Sequence, residues 1–305
     1  WRELAATFGR MGAVIFSVDG LRDTNHIYRQ GVNWDNVERN MRAFIDAGGR
    51  ARWDFLIFEH NQHQVEEAEA LARSFGYSAM RCREAGADCV ELHGHEGYFM
   101  DQFMTGLWNR RDDRYGGSRE KRFTFAREAI EAIKREAGDD FPIIYRFGIK
   151  HYLEGGREEE ESLWIAGELE KMGVAALHVD AGCYETGWWP HPPQYQPPGC
   201  MVDLAAKVKK VSTLPILTVG RLQYPDVAEK VLADGKADFI VIGRGLLADP
   251  EWVNKVQSGR TSEIRPCIGC HEGCLWQMIA GEPTSCALNP VTGHETVWVP
   301  KPLEK

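Results

Sequence analysis

The chain has 305 residues, 43% of them hydrophobic, and a formal net charge of −9. That length can bury the core of one large domain or two ordinary ones. The acidic balance excludes a broad nucleic-acid or anionic-membrane surface, which would need clustered Lys and Arg. No apolar run long enough to span a bilayer is present. The opening Trp1-Arg2-Glu3-Leu4 lacks the charged and apolar regions of an export signal, so the expected location is cytoplasmic. In a reducing interior the eight cysteines point to a metal site rather than to disulfides, the more so because four of them fall between 267 and 286.

Short apolar runs alternate with amphipathic stretches along the chain. Strands are predicted at 13–18, 53–58, 89–93, 142–146, 176–180, 215–219 and 238–242. Helices are predicted between them at 34–47, 64–75, 122–137, 159–172 and 226–233. This alternation predicts βαβ units and a parallel sheet. Units at this spacing fit a (β/α)8 TIM-like barrel, incomplete or hybrid, because one strand is unaccounted for. Several strands end in polar or glycine-rich residues, among them His93-Gly94, Arg146-Phe147-Gly148, Asp180-Ala181-Gly182, Val219-Gly220-Arg221 and Gly243-Arg244-Gly245. The carboxyl ends of barrel strands face the active site. From about residue 260 cysteine, glycine and proline replace helical periodicity, which predicts a small appended metal-bound lobe over 263–305.

The sharpest local signal is Cys267-Ile268-Gly269-Cys270-His271-Glu272-Gly273-Cys274, with Cys286 further on. Three thiolates in a tight run and a distant fourth suit a [4Fe–4S] cluster. Zinc, with His271 as a substitute ligand, is the competing reading of the same residues. The turns Gly220-Arg221 and Gly243-Arg244 follow the last two predicted strands, where such barrels bind phosphate. The stretch from Glu91 to Phe103, with His93, His95, Glu96 and Tyr98, places two histidines, a carboxylate and a phenol at one strand end, suited to binding or protonating a substrate. Loop hydrogen bonding accounts for the same residues equally well.

On Glu96-Gly97-Tyr98, Asn109 with Tyr115-Gly116-Gly117-Ser118, Tyr145-Arg146-Phe147-Gly148, the two Gly-Arg turns and the cysteine run through Asn289-Pro290, the chain from about residue 75 resembles the iron–sulfur branch of the old yellow enzyme family. That branch holds 2,4-dienoyl-CoA reductase, trimethylamine dehydrogenase and bile-acid-type enoate reductases. The resemblance implies FMN on the barrel, a [4Fe–4S] cluster held by Cys267, Cys270, Cys274 and Cys286, and reduction of an activated carbon–carbon double bond in a small unsaturated molecule. It further implies Arg146 against the flavin ring; Gly220, Arg221, Gly243 and Arg244 at the FMN phosphate; and Tyr98 as proton donor. His93 and Glu96 would contact substrate. Tyr184 stands where dienoyl-CoA reductases carry a histidine, which turns the expectation toward enoates or enones. FAD and NAD(P)H would belong to a further domain or a separate electron donor. The alternative reading is an electron-transfer fragment or an inactive remnant.

Residues 1–75 differ. Phe16-Ser17-Val18-Asp19-Gly20-Leu21, Ala47-Gly48-Gly49 and Phe58-Glu59-His60-Asn61 resemble the middle of a radical S-adenosylmethionine enzyme without its cysteine motif, and a radical S-adenosylmethionine-related enzyme is a further alternative reading. The expected division is therefore 1–75 from such a barrel, 76–262 from a flavin-binding barrel, and 263–305 as the cysteine lobe.

Overall fold

The computed structural model describes residues 65–295, Val297, Arg39, and two short strands at 14–17 and 51–54. The chain divides into two compact units, Trp1–Ile143 with Glu154–Arg157, and Ile144–Leu153 with Glu158–Lys305. Among the described residues no helix is long and apolar enough to cross a membrane.

In the first unit, β1 (Val14–Ser17) pairs in parallel with β2 (Ala51–Asp54). The helix predicted at 34–47 and most of the segment resembling a radical S-adenosylmethionine enzyme lie outside the described residues. Helix α1 (Val65–Glu84) runs well past its predicted end at residue 75, so the expected division falls inside one continuous helix. Gly76, just past that predicted end, serves close packing. A Cβ there would stand 2.5 Å from the Ala132 carbonyl oxygen, so the missing side chain lets two helices approach. Next come β3 (Val90–Gly94), α2 (Phe99–Met104), α3 (Arg119–Arg122) and α4 (Thr124–Ala137), which packs on α1. Phe125 of α4 is fully buried and stacks on Phe103 at 4.6 Å, with the edges of Phe99 and Phe75 against it at 4.7 and 6.3 Å. Such pairs add about 0.5–1.5 kcal/mol each beyond the area they bury. The Asn109 and Tyr115-Gly116 motif is a staple for the loop ahead of α3. Asn109 Nδ2 donates to the Phe103 and Tyr115 carbonyls at 2.6 and 2.7 Å.

The second unit carries four parallel strands in sequence order, β4 (Ile143–Gly148), β5 (Ala176–Asp180), β6 (Ile216–Thr218) and β7 (Phe239–Ile240). Every residue of β5 is buried, as in a central parallel strand. The register sets Arg146 opposite His178 and Gly148 opposite Asp180. The crossovers hold α5 (Glu159–Lys171), α6 (Val202–Lys209) and α7 (Pro225–Ala233). No helix was expected where α6 lies. It buries Val202, Leu204, Ala205 and Val208 behind a loop containing Pro190, Pro192, Pro193, Pro197 and Pro198. Beyond β7 come α8 (Arg244–Ala248) and α9 (Trp252–Gln257). A π-helical turn at Glu272–Trp276 then leads into α10 (Gln277–Ala280).

Candidate functional site

At the end of β4, Arg146 Nε donates to Asp180 Oδ2 at 3.1 Å, and its Nη2 meets the same oxygen. The Asp180 side chain is fully buried, and its other oxygen accepts the Ala181 N–H at 2.8 Å. Beyond β6, Gly220 and Arg221 both adopt left-handed backbone, with φ of 114° and 54°. Gly220 is required there, since a Cβ would crowd Cys200 Sγ at 3.2 Å and Met201 Cγ at 3.3 Å. A non-glycine residue in this region stores backbone strain of about 1–3 kcal/mol, a cost concentrated at functional sites. Gly243 has an ordinary negative φ and open space around it.

The two arginines of these turns share one half-buried locality. Arg221 Nη1 donates to the carbonyls of Gln194, at 2.7 Å, and Gln196, while its buried Nε has no hydrogen-bond partner. Arg244 Nη2 donates to the Pro192 carbonyl at 2.9 Å, and Nη1 meets His271 Nε2. Burial, with the Arg221 charge as a smaller contribution, lowers the Arg244 pKa below its ordinary value. All the acceptors named here are neutral. Cys200 lies within reach of Asp180 and both guanidiniums, and burial pushes its thiol up to about 11. Two cations drawn partly out of water onto neutral acceptors leave positive charge uncompensated, a setting that favours an anion.

The four predicted cysteine ligands line one cavity with Arg244 and His271. Gly269, at φ 67°, packs its backbone against Gln194, and its N–H points at Cys267 Sγ at 3.4 Å. Gly273 brings Cys286 in. Its carbonyl accepts the Ser285 N–H at 2.6 Å, and a Cβ would collide with Ser285 Oγ at the same distance. Gln223 Nε2 holds the Cys267 carbonyl at 2.8 Å. Burial raises the Cys267 thiol, opposed by the Gly269 N–H and the Arg244 charge. Burial and the Arg244 charge together push His271 down to about 4, so its imidazole is neutral.

Among the described residues no three cysteine, histidine or acidic side chains converge on one metal ion. Zinc bonded to sulfur at about 2.3 Å would require its thiolates within about 4 Å of one another. In a cluster each thiolate holds a different iron, so the sulfurs stand farther apart around a larger void. Four soft donors around a cavity walled by Leu247, Ile268 and Leu288 suit a thiolate-held metal group.

The first unit holds the other predicted group. Glu96 and Gly97 turn the chain with φ of 67° and 82°, and half-buried Tyr98 follows. The Tyr98 ring packs on His93 with centroids 5.1 Å apart. Tyr184, in the second unit, opens a single 3-10 turn and is 56% exposed. Sequence reasoning missed the partners of these residues. Asp180 was legible as a strand end but not as the carboxylate that takes Arg146. Asp101 lies in the singled-out stretch 91–103 but was given no role of its own, and Arg157 gave no signal at all.

Residues 55–263 match the NADH:flavin oxidoreductase / NADH oxidase family. The match begins ahead of the expected junction at 75. Over 245 residues the chain is 43% identical to the NADH oxidase of Thermoanaerobacter brockii, covering 80% of this chain and 38% of that protein. It is 38% identical over 256 residues to the cinnamate reductase of Clostridium sporogenes, covering 79% of this chain and 38% of the relative. Among solved structures, a 2-naphthoyl-CoA reductase complex superposes with a TM-score of 0.73 and 31% identity over 76% of this chain and 35% of the other. The α/β fold is therefore that of the barrel flavoenzymes, and the chain spans less than two-fifths of the length of these relatives. With more than half of its residues matched, the chain belongs to the NADH:flavin oxidoreductase / NADH oxidase family.

Proposed function

We propose that this chain is the substrate-reducing part of an FMN- and [4Fe–4S]-dependent reductase acting on an activated carbon–carbon double bond. The observation that carries the reading is the pairing of two half-buried guanidiniums, Arg221 and Arg244, on neutral acceptors, with a four-cysteine cavity that Arg244 also lines. Relatives described as cinnamate reductase and 2-naphthoyl-CoA reductase support a conjugated substrate.

When bound, FMN supplies hydride to the electrophilic carbon of such a bond, and the cluster supplies single electrons. Arg221 and Arg244, with the Gly220 and Gly243 turns, hold the phosphate. Arg146 sets positive charge beside the flavin ring, and Asp180 fixes its guanidinium. His93 and Glu96 orient the substrate, and the Tyr98 hydroxyl gives a proton to the carbon next to the one that accepts hydride. Tyr184 is the second candidate acid. Cys267, Cys270, Cys274 and Cys286 ligate the cluster. The electron donor is a further domain or a partner protein, the compartment is the cytoplasm, and the N-terminal 75 residues contribute barrel units.

The test is anaerobic reoxidation of the prereduced flavin by an arylacrylate. Tyr98→Phe should slow it by about 10²–10⁴-fold, the usual worth of a positioned acid, with flavin content unchanged. A wild-type rate in Tyr98→Phe with a slow Tyr184→Phe would move the donor to Tyr184. Absence of any bound flavin would favour an electron-transfer fragment or a remnant instead.

A further inference from the structure

A carboxylate and a guanidinium, each with a fully buried side chain, lie beneath the turn that presents Tyr98. Arg157 Nη2 meets Asp101 Oδ1 at 2.7 Å. The cost of drying two charges can exceed their mutual attraction, so such a pair is weak as a device for stability alone. Its geometry shows a second use. The other carboxylate oxygen, Asp101 Oδ2, accepts the Gly97 N–H at 2.8 Å. Gln102 Nε2 donates to the Gly97 carbonyl at 2.6 Å, so both polar groups of the residue before Tyr98 are tied. The Tyr98 N–H goes to the His95 carbonyl at 3.2 Å, and its own carbonyl accepts the Gln102 N–H at 2.9 Å. Thr105 Oγ1 closes the base by donating to the Asp101 carbonyl at 2.7 Å.

The turn needs this support. Glu96 and Gly97 are consecutive left-handed residues, and a left-handed glutamate is disfavoured unless its surroundings impose it. We infer that Asp101 is the positioning residue for the Tyr98 hydroxyl, held in register by its buried ion pair with Arg157. The inference rests on the assignment of Tyr98 as the acid. A donor displaced by about 1 Å loses on the order of 10²-fold in rate, so a locked backbone bears directly on proton delivery.

Two measurements test it, and the first needs neither FMN nor activity. Amide hydrogen exchange of the wild-type protein should show Gly97 and Tyr98 as well protected as the core of α4. In Asp101→Asn these two amides should exchange at least about tenfold faster relative to α4, as a local opening predicts. Asn keeps an oxygen for Gly97 but loses the charge that fixes it. Where the single variant leaves Arg157 buried without its counter-charge and fails to fold, the double variant Asp101→Asn/Arg157→Gln carries the same comparison. The second measurement is flavin reoxidation in a double-mutant cycle. Asp101→Asn should slow wild type by about 10²-fold. It should slow the Tyr98→Phe background by less than about twofold, because a positioning residue acts through the group it positions.

Unprotected Gly97 and Tyr98 amides in wild type overturn the proposal. So do unchanged amides in a folded variant, or equal slowing in both backgrounds. If Tyr98→Phe alone is silent, the acid assignment fails, and the exchange data still decide whether Asp101 locks the turn.

Discussion

Arg157 and Arg221 are both drawn out of water, and they end in opposite electrostatic circumstances. Arg157 meets the buried carboxylate of Asp101, and that carboxylate in turn holds a backbone turn. Arg221 meets carbonyl oxygens, leaves its Nε without a partner, and lies within electrostatic reach of a second cation, Arg244. The first region balances its charge within the chain. On the proposed reading the second is balanced when an anion arrives. A buried charge paired with a buried countercharge can serve the fold alone, whereas two left on neutral acceptors motivate the proposed ligand site.

The contrast predicts stability effects of unequal size. Arg157→Ala strands the Asp101 charge and should cost about 3–5 kcal/mol in denaturant unfolding of the apoprotein. Arg221→Ala should cost under about 1 kcal/mol, since it also relieves repulsion with Arg244. Equal costs would erase the distinction. The cysteine cavity belongs with the ligand-seeking region. Anaerobic protein should hold about four irons per chain. Cys270→Ser, at an exposed cysteine, should lose most of that iron and leave apoprotein stability unchanged. Stoichiometric zinc without iron would return the site to its competing reading.

A smaller effect sharpens the comparison within the second unit. Burial pushes the Asp249 carboxyl up, but Lys255 at 2.6 Å and the N–H groups of Arg265 and Glu251 outweigh it and hold the pKa below the ordinary carboxylate value. A folded pKa below the unfolded one contributes stability above the unfolded value, about 3.9, and that stability is lost as pH falls through the lower folded pKa. Acid unfolding monitored below about pH 4 should therefore be less steep in Asp249→Asn. An unchanged slope would mean that the carboxylate does not anchor the chain leading into the cysteine lobe.

What could be read in the sequence was local. The run at 176–180 gave β5 its limits because Ala176, Leu177 and Val179 form a short apolar stretch that ends at the polar Asp180. The cysteine spacing pointed to one site, and the cavity lined by Cys267, Cys270, Cys274 and Cys286 brings the four together. What failed was long-range or ambiguous. The helix predicted to end at 75 runs on to Glu84, and the nearness of Ala132 to Gly76 is a long-range contact that no local pattern shows. Helix α6 was hidden behind a proline-rich loop, and its eight residues are too few for a strong period. The Asp101–Arg157 pair joins residues far apart in sequence, which no spacing rule detects.

The central claim is that Arg221 and Arg244 await a phosphate. Its most direct test is the affinity of the anaerobic chain for FMN against riboflavin, which has the same ring system and no phosphate. FMN should bind at least about tenfold tighter, the worth of one charge-assisted contact, and Arg221→Ala or Arg244→Ala should shrink that margin while leaving riboflavin affinity alone. Equal affinity for the two flavins, or a margin untouched by both substitutions, would contradict the account.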